Sequence, residues 1–373
     1  MEIPVKETPL HAAHVALGAR MTEFGGWDMP VWYQGIPAEH EAVRTRVGLF
    51  DVSHMGEFVV YGVKAESALR RLLTNDVAEL SLNEAQYTLL PNEAGGTVDD
   101  LLVYRLSAEA FVLVVNASNV DKDREWLRAH LGDPRSAGLD DHSDRKALLA
   151  LQGPKAVAVL AALTRLPVHA MPYYHFDRGE VAGAEVLVSR TGYTGEDGFE
   201  LMCENDDALA LWDAVMAAGS AHGIAPAGLG ARDSLRLEAA MPLYGHELDD
   251  STSALEAGLK RFVVLEKPGL TAPQMGGERL RAEAAGGTAR KLIGLELTER
   301  GVPRDGYAIH AGVDGPKVGA VTSGTLSPTL GKAIAMGYVP PEHGAVGTAL
   351  AVEIRGRLVP ATVVKRPFYR RAR

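Results

Sequence analysis

The chain has 373 residues, 46% of them hydrophobic and 23% charged, which excludes a disordered or fibrous protein and gives room for about two to three domains. Its formal net charge of −10 disfavours nonspecific binding to nucleic acid or to acidic membranes. The single cysteine, Cys203, excludes an internal disulfide framework and an all-cysteine metal site.

In chain order, residues 8–19 read as a short helix carrying two exposed histidines, His11 and His14. The run Phe24-Gly25-Gly26-Trp27-Asp28-Met29-Pro30 is dense in glycine and aromatic residues and too irregular for a helix; its tryptophans need burial or a ligand. A helix over 37–47 opens on a proline, which needs no donor in the first turn. Strands are expected at 57–61, 85–90, 97–106 and 110–115, with helices at 64–73 and 121–130. This succession points to a small α+β domain with a hairpin-rich sheet. Residues 132–144 read as a polar linker. Beyond it, strands at 147–152, 185–189 and 199–203 alternate with helices at 154–163, 206–217 and 228–238. Residues 270–290, rich in Gly, Ala and charge and with room for a short helix, are the clearest candidate boundary. After them, six short strands separated by Gly or Pro turns give an all-β, barrel-like spacing.

From Arg355 onward, seven basic residues (Arg355, Arg357, Lys365, Arg366, Arg370, Arg371 and Arg373) meet no acidic one, leaving −17 on the other 354 residues. On charge alone this end reads as a solvated tail; the alternative is docking of an acidic partner or an anionic ligand tail. No run approaches the about 20 apolar residues of a membrane span. Residues 1–7 lack the apolar core of a signal peptide, so the cytoplasm is the expected compartment.

The sequence holds no G-x-G-x-x-G, P-loop, zincin or G-x-S-x-G pattern, which removes the dehydrogenase, kinase, zinc-protease and serine-hydrolase readings. Four constellations remain. Asp99-Asp100 follows a Gly95-Gly96 turn on a strand whose side chains alternate between faces. One of the two carboxylates must therefore point inward, either as a turn cap or toward an N–H-rich ligand. Arg190 to Glu200 sets three glycines, Tyr193 and Glu200 in one tight loop between strands, either a plain hairpin or a site. Arg232 and Arg236 share a helix face, either as solvated ion pairs or as a grip on a carboxylate. Asn116 closes a strand with a donor and acceptor pair suited to a heterocycle edge. Together they suit a flat polar heteroaromatic ligand with a carboxylate tail.

Six motifs occur in order: Phe24-Gly25-Gly26-Trp27 with Met29-Pro30; Arg44-Thr45 onward to Gly48-Leu49-Phe50-Asp51-Val52-Ser53-His54-Met55; Gly95-Gly96-Thr97-Val98-Asp99-Asp100-Leu101; Gly192-Tyr193-Thr194-Gly195-Glu196-Asp197-Gly198-Phe199-Glu200; Arg232-Asp233-Ser234-Leu235-Arg236-Leu237-Glu238; and Val321-Thr322-Ser323-Gly324-Thr325-Leu326-Ser327-Pro328. Over essentially its whole length the sequence thereby resembles the aminomethyltransferase (T-protein) family of the glycine cleavage system. The resemblance implies an α+β, three-domain fold around a folate site. A discontinuous first domain would cover 1–52 and 136–270, a ferredoxin-like domain 53–135, a linker 271–290, and a C-terminal β-barrel 291–373. It implies transfer of a one-carbon unit from a lipoylated H-protein to tetrahydrofolate, with no metal or nucleotide. By motif match Asp99 is the catalytic carboxylate, with Asp100 the alternative from strand phase. Tyr87, Asn116, Tyr193, Glu200, Arg232 and, near the C-terminus, Arg370 are the implied folate contacts, with Asp99 among them. The sequence departs from the family at Ala239-Ala240-Met241, where many relatives carry glycine or an aromatic residue. Two other classes compete. Folate-dependent amine-oxidising relatives carry a flavin domain that has no room here, and non-catalytic folate-binding relatives carry a lysine-glycine-cysteine-tyrosine motif that is absent.

Overall fold

The computed structural model describes residues 5–371. Residues 1–4 of the segment read for a leader, and Arg373 of the basic end, lie outside the described residues. The chain forms two compact units: Met1–Leu69, Val77–Tyr87 and Leu101–Asp233 make one, and Arg70–Asp76, Thr88–Asp100 and Ser234–Arg373 the other.

The first unit holds a six-stranded sheet in the order Phe176–Val181, Ala184–Ser189, Gly198–Glu204, Lys146–Gln152, Val47–Asp51, Ile224–Pro226. All neighbours are antiparallel except the last pair, which is parallel. The central strands are near-continuous apolar runs because both faces are covered. Leu49, Leu149, Leu151, Phe199 and Leu201 pack with Val159 and Leu160 of the helix Ala156–Ala161 and with Leu211, Trp212 and Val215 of the helix Ala208–Gly219.

A five-stranded sheet runs Ala85–Pro91, Thr97–Arg105, Ala110–Val115, Gly56–Tyr61, Gly138–Asp141. Its first two strands pass from one unit into the other. The strand Gly138–Asp141 lies inside the stretch expected to be a linker; Ala137 and Gly138 are buried, and the strand pairs antiparallel with Gly56–Tyr61. Its Leu-Asp-Asp composition carries too little apolar signal to betray it.

In the first unit the glycine- and aromatic-rich run is not a helix, as expected, and one expectation about a histidine is corrected. Arg20–Phe24 and Trp27–Trp32 form an antiparallel hairpin, with Phe24 opposite Trp27 and a shift of register between Arg20 and Met21. Gly25 (φ 58°) and Gly26 (φ 85°) supply the two positive-φ residues of a tight two-residue turn. His14 is not exposed but fully buried, with Nε2 2.8 Å from an Asp51 carboxylate oxygen, Nδ1 2.9 Å from the Tyr33 hydroxyl, and its ring edge-on to Trp212.

In the second unit, the strands Lys291–Leu297, Ala333–Val339, Lys317–Leu326, Ala308–His310, Ala349–Ile354 and Arg357–Val364 close into a barrel in that order. Inward residues such as Leu295, Ile309, Ala335, Val352 and Val359 fill it. The helix Gly277–Gly286 occupies the stretch read as a boundary. The basic end is not a free tail. Arg366 is half-buried and donates to the Leu292 carbonyl at 3.0 Å, and the Tyr369 amide donates to the Glu238 carbonyl at 2.9 Å.

Candidate active site

The loop after Ala184–Ser189 is shaped by its mouth. Ser189 pairs with Glu200 across the two strands, and Arg190 reaches over with both Nε and Nη2 donating to Asp197 at 3.0 and 2.6 Å. Such a two-pronged grip fixes orientation as well as distance. Gly195 takes a positive φ of 80°, which favours glycine, and a Cβ on Gly192 would displace the Gln152 amide from its place.

Tyr193, half-buried at the middle of this loop, lies under the Arg232 guanidinium, whose carbon is 4.6 Å from the ring centroid. Arg232 projects from the helix Leu229–Glu238. A guanidinium over a ring is held by the ring's negative face. Glu200 is buried on the adjoining strand and accepts a short hydrogen bond from the Thr191 hydroxyl, which is 2.8 Å from that of Ser189. Burial pushes the Glu200 carboxyl above its usual range, although the Thr191 bond and the Arg232 charge oppose the shift. Tyr104 joins this group: burial chiefly, then the charge of Glu200, raises its phenol, while side-chain bonds with Thr191 and Ser189 work the other way.

His54 feels the Arg232 charge as well. It is buried, edge-on to Phe24 at 5.8 Å, and burial followed by the Arg232 charge lowers its pKa to about 4. A neutral imidazole results at physiological pH. Tyr193, Glu200 and Arg232, chosen from sequence, are thus brought together. Thr191, Tyr104 and His54 were missed as members of the group. Thr191 lies in the Arg190 to Glu200 loop and His54 within a quoted motif, whereas Tyr104 carries no signal, since an aromatic residue on an apolar strand reads as core.

Tyr87 is half-buried on Ala85–Pro91, and Asn116 is half-buried immediately after Ala110–Val115, with extended backbone leading into a short turn. In the second unit Asp99 is fully buried and Asp100 half-buried, so Asp99 is the inward carboxylate that alternation alone left open. The turn before it is anchored: the Thr97 hydroxyl donates to the Thr252 carbonyl at 2.8 Å, and the Asn92 amide to the Asp250 carbonyl at 2.8 Å. Arg370 is exposed on irregular chain beyond the last barrel strand. Among the described residues, no group of three or more His, Cys, Asp or Glu side chains is placed to hold a metal ion.

Residues 10–267 match the family described as the GCVT N-terminal domain, and residues 290–370 match the glycine cleavage T-protein C-terminal barrel domain. The chain belongs to the glycine cleavage T-protein family. It is 51% identical to an aminomethyltransferase of Geobacillus kaustophilus over 99% of this chain and 100% of the relative. It is 48% identical to that of Bacillus subtilis, over 98% and 100%. The crystal structure of the glycine cleavage system aminomethyltransferase T from Bartonella henselae superimposes with a TM-score of 0.90 at 34% identity, covering 98% of both chains. The α+β fold with a C-terminal barrel is therefore that of the T-protein family, and the residues described above are its candidate machinery in this member.

Proposed function

We propose that this T-protein family member is an aminomethyltransferase that moves the methylene carbon of an aminomethyl group, carried on the lipoyl sulfur of an H-protein, to tetrahydrofolate. Two carbon–nitrogen bonds form on the folate, at N5 and N10. The bonds from carbon to the amine and to the lipoyl sulfur break. The two protons leaving folate nitrogen go to ammonia and to the thiol, and the product is 5,10-methylenetetrahydrofolate.

The observation that carries this reading is the Tyr193–Arg232–Glu200 cluster in a chain of this family. A carboxyl held toward its neutral form both donates and accepts at the edge of a flat heterocycle, and Thr191 fixes its orientation. Tyr193 offers a planar face, and Arg232 adds a positive charge suited to anionic parts of the ligand. Asp99 is the proposed catalytic group: a buried carboxylate stabilises positive charge developing at N5 or on the transferred carbon. Tyr87, Asn116 and Arg370 complete the proposed folate contacts. The proposed domain division is 1–52 with 136–270, 53–135, a linker at 271–290 and 291–373; the strand Gly138–Asp141 pairs with Gly56–Tyr61, which moves the border at 135 to beyond 141.

The test is ammonia release from aminomethyl-loaded carrier, with and without tetrahydrofolate. Wild type is expected to release ammonia in a folate-dependent way. Asp99→Asn is expected to lose roughly a hundredfold or more in rate, the scale seen when one electrostatic stabiliser is removed, while still binding folate. Absence of release by a wild type that binds folate overturns the reading.

A further inference from the structure

Two side chains outside the ligand-facing cluster grip the loop on either side of Tyr193. Arg44, in the last turn of the helix Ile36–Thr45, donates through Nη1 to the Thr194 carbonyl at 2.7 Å and to the Glu196 carboxylate at 3.0 Å. Arg44 and Glu196 are each only 5% exposed, so this ion pair is sequestered. Gln152, at the end of the central strand Lys146–Gln152, is buried. Its Nε2 donates to the Thr191 carbonyl at 3.1 Å, and its Oε1 accepts from the Thr194 hydroxyl at 2.9 Å. The amide therefore brackets Tyr193 from both flanks, and Gly192 leaves it the room to do so. The same hydroxyl of Thr194 accepts the Glu196 amide at 3.2 Å, closing the turn.

These contacts are costly unless something demands them. A buried guanidinium–carboxylate pair adds little net stability over an apolar substitute. A fully satisfied buried polar network does specify one geometry. The residue whose place is specified is Tyr193, which must lie flat under Arg232 for the 4.6 Å stacking to hold. We propose that Arg44 and Gln152 are positioning residues for folate recognition, holding the Tyr193 ring in register with Arg232 through the backbone at Thr191 and Thr194. This inference rests on the folate-dependent function proposed above. Neither residue needs to touch the ligand; both act through the loop.

The experiment measures tetrahydrofolate binding by calorimetry, steady-state kinetics with both substrates, and melting temperature, for wild type, Arg44→Lys and Gln152→Met. Arg44→Lys keeps a charge opposite Glu196 but ends in a shorter side chain, which draws the donor back from the place of Nη1, the one nitrogen that makes both contacts; Gln152→Met keeps volume and loses both grips. Each is expected to raise the folate Kd and the folate KM about tenfold, the scale of a lost positioning contact, with the KM for the aminomethyl carrier unchanged. Repeated on a Tyr193→Ala background, Arg44→Lys is expected to change the folate Kd less than about twofold, because residues acting as one unit are not additive. An equal effect in both backgrounds overturns the inference, as does an unaltered folate Kd with only the melting temperature lowered. A wild type that binds no tetrahydrofolate overturns the proposed function and this inference together. Wild-type binding with unaffected variants overturns this inference alone.

Discussion

Glu57 is the residue that least resembles its surroundings. It lies 1% exposed on the strand Gly56–Tyr61, and among the described residues neither carboxylate oxygen has a hydrogen-bond partner. Burial, then the nearby charge of Asp141, pushes its pKa well above the usual range, with Lys146 opposing. An acid whose folded pKa is raised binds its proton more tightly in the folded chain. Stability is therefore unaffected below the ordinary carboxylate pKa and falls as pH rises from there through the folded value. Glu57→Gln is expected to match wild type near pH 4 and to exceed it by about 1–3 kcal/mol above the folded pKa, read from urea midpoints at the two extremes. Single residues are also where the sequence was least legible. Alternation showed that one of Asp99 and Asp100 points inward, and only the paired sheet says which. His14 looked like any polar residue on a short helix, because its partners Asp51 and Tyr33 are 37 and 19 residues away. A local pattern cannot see a partner at that distance.

The helix Leu229–Glu238 ends on a motif that shows what element boundaries cost. The Met241 amide donates to the Arg236 carbonyl at 2.9 Å, and the Ala240 amide to the Leu237 carbonyl at 2.9 Å. This is the paired closure of a Schellman end, with Ala240 at the left-handed position, φ 52°, that glycine normally fills. Alanine there carries a Cβ clash that glycine lacks. Ala240→Gly is expected to stabilise the chain by about 0.5–1 kcal/mol, measured as a higher melting temperature. The departure noted in the sequence is thus a backbone matter at Ala240. Elements punctuated by Gly or Pro, as in the barrel, were legible because turn residues mark both ends. The strand Val47–Asp51 was not, since it follows the helix Ile36–Thr45 after a single residue and its apolar run continues the helical pattern. The candidate site was legible where motif and loop coincide, at Tyr193 and Glu200, and hidden where a site residue reads as core, at Tyr104.

At the scale of the whole molecule, the net charge of −10 and the basic end do not describe two independent regions. Phe368 packs on Leu237, Leu292, Ile334, Met336 and Tyr338, and Arg366 bonds to the Leu292 carbonyl. Burial lowers the Arg366 pKa, with Tyr338 and Glu247 opposing. Truncation after Val364 removes these contacts and is expected to cost about 2 kcal/mol or more, the worth of one packed aromatic side chain. A solvated tail would leave the denaturation midpoint in place, so the truncated chain separates the two accounts. The all-β character of the last third was legible from turn spacing; its closure into a barrel depends on pairing between Lys291–Leu297 and Arg357–Val364, some 60 residues apart, which no local signal contains.

The pairing of Val47–Asp51 with Lys146–Gln152 also sets a clock for the ribosome. All five residues of the earlier strand end up buried, yet the partner strand is complete only after Gln152 has been added. At about 5–20 residues per second, translation leaves that apolar segment unpaired for about 5–20 seconds in each newborn chain. The nascent protein thus spends that interval as a natural client for holding chaperones, whatever its stability once released.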